Sequence, residues 1–93
     1  MLESLLASLV IAQTDYVYLT TANKSAVERR ISDIRVMADP QIEPGEISSI
    51  LGIQPTCGKK NSQIQCTWSE GNRKIQAFWS APWKFQRWDS TGF

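Results

Sequence analysis

The sequence predicts an α+β domain: an N-terminal helix or helix pair packed on an antiparallel meander of three or more strands. Three observations carry that expectation. Apolar residues recur every three or four positions from Leu2 to Ile34, the spacing of a helical stripe. From Gln63 onward the period changes to two, the spacing of strands. Between these stretches lies a short segment bounded by proline and glycine that reads as one more helix. At 93 residues the chain holds one small domain, 1–93. A chain of that size hides only about 60 to 65 per cent of its unfolded surface, so a staple or a partner matters to its stability.

The helical segment spans 1–38. Its stripe runs through Leu2, Leu5, Leu6, Leu9, Tyr16, Val17, Val27, Ile31 and Ile34, with polar interruptions at Gln13, Thr20 and Lys24. It forms either a single helix, about 50 Å long at 1.5 Å per residue, or two helices broken around Thr20 to Lys24. β-Branched and short polar residues weaken helix propensity there, and Thr21, Asn23 or Ser25 is able to cap a restart. Asp39-Pro40 ends the segment, because proline lacks a donor and restricts the residue before it.

The second helical element covers 44–52. Pro44 suits a first-turn position, Glu46 favours the positive end, and Ile47, Ile50 and Leu51 form one apolar face. Gly52 suits the left-handed residue that closes a helix, and Pro55 keeps the following chain extended.

The antiparallel sheet is predicted over 63–89. Ile64, Cys66 and Trp68 alternate with Gln63, Gln65 and Thr67. Ser69-Glu70-Gly71-Asn72 supplies a turn, and Arg73 to Trp79 returns with Ile75, Ala77 and Trp79 opposed to Lys74, Gln76 and Phe78. Ala81-Pro82 makes the next turn. A third strand then places Trp83, Phe85 and Arg87 on one face, with Lys84, Gln86 and Trp88 on the other.

Cys57 and Cys66 flank a turn-rich stretch, Gly58-Lys59-Lys60-Asn61. Two thiols without any histidine are too few for a four-ligand zinc site, and their spacing is not that of a redox pair. They either form a disulfide, which stabilises a loop this short by roughly 2 to 3 kcal/mol, or stand as two free thiols in the core. A disulfide implies a periplasmic or extracellular home. Leu5 to Ala12 is too short to cross a bilayer, which takes roughly 20 apolar residues. Glu3 is the only charge before that run, so it makes a poor signal peptide. An export signal either preceded this numbering or never existed.

Charge divides the chain. Up to Glu46, four basic residues (Lys24, Arg29, Arg30, Arg35) stand against seven acidic ones; beyond it, six basic residues face only Glu70 and Asp89. General acid–base work at neutral pH most often uses histidine, and the sequence has none. Asp39, Glu43 and Glu46 are accounted for by a loop and a helix start. No enzyme, cofactor or metal is expected.

The expected activity is therefore binding. Trp68 and Trp79 fall in phase with the core. Trp83, Trp88 and Phe93, beside Lys84 and Arg87, are more aromatic bulk than one small core absorbs, and such clusters make binding hot spots. Leu2, Leu5, Leu6 and Leu9 form a second candidate surface, for docking on another protein or a second copy. A membrane surface is less favoured because the run lacks a basic flank. Nucleic acid, held by Lys59, Lys60, Arg73, Lys74, Lys84 and Arg87 with stacking tryptophans, is disfavoured. The cations are few and come from both strand faces and from loops.

Two resemblances bear on this. Pro44-Gly45-Glu46, Leu51-Gly52, Pro55, Cys57, Cys66-Thr67-Trp68, Ile75, Phe78, Trp88 and Gly92 resemble a small helix-and-meander module. It is shared by outer-membrane assembly lipoproteins of the SmpA/OmlA type and secreted β-lactamase inhibitor proteins. The resemblance covers 42–93 and implies two helices across an antiparallel sheet, no catalysis, residence outside the cytoplasm, and a protein-binding face. The chain departs from it in its longer apolar N-terminus, the lack of a lipobox cysteine and the Ala81-Pro82 turn. Met1 to Ala7 is in turn similar to the start of type IV pilin helices, which would make the chain a structural subunit.

Overall fold

In the computed structural model, which describes residues 17–37, 41–80 and 83–93, helix α1 (Thr21–Arg35) begins at a capped break. Thr20 is extended (φ −96°, ψ 162°) and its hydroxyl accepts the Asn23 amide at 3.0 Å. An extended Thr20 excludes a single helix running through to residue 37. The cap falls one residue before the earliest candidate, Thr21. Residues 1–16, with the Leu2, Leu5, Leu6 and Leu9 stripe, lie outside the described residues, as do Asp39-Pro40 and the expected Ala81-Pro82 turn. Helix α1 buries Val27, Ile31 and Ile34, one face at helical spacing.

Helix α2 (Pro44–Leu51) follows the sequence expectation closely. Pro44 occupies the first turn, and Gly52 closes the helix at φ +83° with its amide on the Ser48 carbonyl at 2.7 Å. Ile47, Ser48 and Leu51 are buried, while Ile50 packs on the core only in part. An Arg30–Glu46 ion pair ties α1 to α2. The hydrogen bond and then the charge of Glu46 hold the Arg30 pKa above its ordinary value.

The sheet has four strands, β1 (Thr56–Lys60), β2 (Gln63–Glu70), β3 (Arg73–Ser80) and β4 (Lys84–Thr91), in the order β1-β2-β3-β4 and antiparallel throughout. The expected α+β meander is present, with one strand more than the periodicity identified. Gly58-Lys59-Lys60, read as part of a turn, belongs to β1; the turn is Asn61-Ser62, with Asn61 at φ +57°.

Trp68, Trp79, Ile75, Ala77, Cys66 and Phe85 form the sheet's contribution to the core, against Leu19, Val27, Ile31, Ile34, Ile42, Ile47 and Leu51. Both fully buried indoles have a partner for the ring N–H. Trp68 donates to the Ser48 hydroxyl at 3.0 Å and Trp79 to the Ile42 carbonyl at 2.6 Å. Cys57 and Cys66 are bonded to each other directly across β1 and β2, with their Cα atoms 4.1 Å apart.

A bulge changes the reading of β4. Phe78 pairs with Arg87 and Trp79 with Phe85, so Gln86 is an extra residue without a partner on β3. The inserted residue reverses the alternation. Phe85 and Trp88 both turn toward the helices, and Arg87 turns to the outer face, instead of Arg87 sharing a face with Phe85.

Candidate functional site

The five residues expected to form one aromatic and basic face fall in three places. Trp83 and Lys84 sit at one end of β4 and Phe93 lies beyond the other, roughly 25 Å away at 3.3 Å per strand residue. Arg87 and Trp88 lie between them on opposite faces of the sheet.

Trp83 occupies the turn into β4 at φ +48°, a left-handed conformation that bulky side chains rarely adopt. Its ring meets Trp79 edge-on at 6.0 Å between centroids, and 36% of the residue stays exposed. Lys84 is exposed beside it, and its backbone bridges to Gln41. That bridge joins the Trp83 corner to an open depression of about 330 Å³ lined by Gln41, Ile42, Glu43, Gly45 and Glu46.

Phe93 belongs to a different assembly. Its ring, 38% exposed, lies 5.4 Å from the Arg73 guanidinium and 5.8 Å from the Lys24 ammonium. Gly92, at φ +86°, brings it there; a Cβ at that position would stand 2.1 Å from the Asn72 carbonyl oxygen. Trp88 is half-buried on the core face opposite Ala77, whose small side chain leaves room for the indole. Arg87 stacks on the buried Phe78 ring at 3.9 Å and meets Asp89 at 3.3 Å.

The sequence places Glu70 in a turn and Arg73 at the start of the returning strand, among the cations of the disfavoured nucleic-acid reading, and gives neither a link to the helices. The Glu70 carboxylate accepts the amides of Tyr18 (2.9 and 3.1 Å) and Leu19 (2.9 Å), and Arg73 donates to the Leu19 carbonyl at 2.8 Å. The only signal available was their placement either side of Gly71-Asn72, which pairs them across a hairpin.

Among the described residues no group of three or more histidine, cysteine, aspartate or glutamate side chains is placed to hold a metal, and no helix is long and apolar enough to cross a membrane. Glu43 precedes α2, and Glu46 is engaged by Arg30. No family model, curated protein or solved structure matches the chain.

Proposed function

We propose that this protein is a non-enzymatic binding or assembly module whose contact with another protein centres on Trp83. The observation that carries the reading is the turn itself. A tryptophan is kept half-exposed at a left-handed position, where glycine or asparagine would cost less. Strain of this kind persists where a side chain is wanted at that spot. Trp79 beneath it fixes the ring, so little entropy is lost on contact, and Lys84 supplies a charged rim. The Cys57–Cys66 bond supports residence in an oxidising compartment, periplasmic or extracellular. Two helices followed by an antiparallel meander is also the element order implied by the resemblance to the SmpA/OmlA and inhibitor module.

Affinity capture on the intact protein, run beside Trp83→Ala and Trp88→Ala, tests the assignment. A specific partner should be lost about tenfold or more in affinity with Trp83→Ala, while Trp88→Ala acts only through stability. Equal capture by intact protein and Trp83→Ala sinks the proposal.

A further inference from the structure

The opposite edge of the sheet carries a second and separate surface. β1 is the outer strand, and all five of its residues are exposed. Its register with β2 decides which backbone groups are free. Cα atoms 4.1 Å apart mark Cys57 and Cys66 as a closely spaced pair that exchanges no backbone hydrogen bonds. By alternation, the N–H and C=O groups of Thr56, Gly58 and Lys60 serve β2, whereas those of Cys57 and Lys59 point to the edge that no other described strand covers. The disulfide pins this short strand to β2, so an incoming strand meets an edge already in place.

Charge selects the occupant. Between Thr56 and Ser69 the chain has Lys59 and Lys60 and no carboxylate. Lys59 lies on the helix side with Cys57, opposite Ile64, and Lys60 lies on the outer side, opposite Gln63. Edge lysines deter neutral strands, and a second copy of this chain would bring its own lysines against them. An extended segment with neighbouring carboxylates, one directed to each side, meets a complementary cation on both faces. Gly58 leaves open space between Cys57 and Lys59, with nothing among the described residues within 4 Å of where a Cβ would lie. We propose that β1 accepts an acidic extended peptide of another protein by strand addition, hydrogen-bonded to Cys57 and Lys59 and paired in charge with Lys59 and Lys60.

This surface is distinct from the Trp83 corner, so either proposal can fail alone. The test titrates the intact oxidised protein with a fluorescein-labelled synthetic peptide alternating threonine and glutamate, and with its lysine counterpart. The acidic peptide should bind about tenfold or more tightly than the lysine peptide, and the amides of Cys57 and Lys59 should gain protection from hydrogen exchange. Lys59→Pro removes an outward donor without touching the β2 ladder and should weaken binding by a similar factor. The double variant Lys59→Glu, Lys60→Glu should reverse the peptide preference. Equal binding of both peptides, no binding, unprotected Cys57 and Lys59 amides, or tighter binding of a single-stranded oligothymidylate would each overturn the proposal. Should Lys59→Pro not fold, the exchange measurement on the unaltered chain decides.

Discussion

Glu70 and Arg73 face each other across the β2–β3 turn, yet the bonds they make run to the same short stretch of chain at the start of α1. The carboxylate accepts the Tyr18 and Leu19 amides, and the guanidinium donates to the Leu19 carbonyl. One hairpin end therefore holds the entrance to the helix, and Phe93 closes over Arg73 from outside.

Removing that carboxylate should loosen the entrance. Hydrogen bonds to a charged acceptor contribute about 1.5 to 3 kcal/mol each at most, and less where water competes. Glu70→Ala should lower stability by about 2 kcal/mol in denaturant unfolding. Arg73→Ala should add less on the Glu70→Ala background than alone, because both act on one segment. Hydrogen exchange at Tyr18 and Leu19 should accelerate first. Unchanged protection of those amides in Glu70→Ala would refute the assignment.

How far the sequence reveals this architecture depends on whether each signal is local. Helix α2 is legible because Pro44, the Ile47 face and Gly52 are all local signals, and β2 and β3 because Ile64, Cys66 and Trp68 and then Ile75, Ala77 and Trp79 recur at every second position. Strand β1 is not, since Thr-Cys-Gly-Lys-Lys has no apolar alternation and becomes a strand through its ladder and disulfide to β2. The β4 bulge is silent as well. Gln86 differs in no chemical respect from a ladder residue, yet inserting it moves Arg87 and Trp88 to the opposite faces. Glu70 and Arg73 reach residues more than fifty positions away. Local reading sees only a turn.

Ser48 is the one buried polar residue among the described core positions, and its hydroxyl accepts the Trp68 indole N–H. Ser48→Ala should cost about 1 to 3 kcal/mol, the penalty of leaving that donor unpaired in the interior. Trp68→Phe removes the donor but also loses packing. In a double-mutant cycle, Ser48→Ala should cost distinctly less on the Trp68→Phe background. Strictly additive losses would show that the hydrogen bond contributes nothing.

Reduction of the disulfide should act chiefly on β1. The bonded residues are nine positions apart, so loop closure accounts for roughly 2 to 3 kcal/mol. The non-reduced protein should weigh two protons less than the reduced one. Amides of Thr56, Gly58 and Lys60 should lose exchange protection on reduction before those of β3. Uniform loss of protection across the whole sheet would mean that β1 is not the element the bond secures.

Trp83 offers a way to separate backbone strain from side-chain contact. Ala and Gly at this position both remove the ring that meets Trp79, but only glycine adopts φ +48° without a Cβ clash. Trp83→Gly should therefore be more stable than Trp83→Ala by about 1 kcal/mol, the usual cost of a left-handed L-residue, less what glycine's unfolded-state freedom takes back. If the indole is there for a partner, both variants should lose binding alike despite that difference in stability. Chemical unfolding of the two variants, with capture measured on the same samples, reads both quantities. Equal stability would remove the strain from which the binding role of Trp83 was inferred.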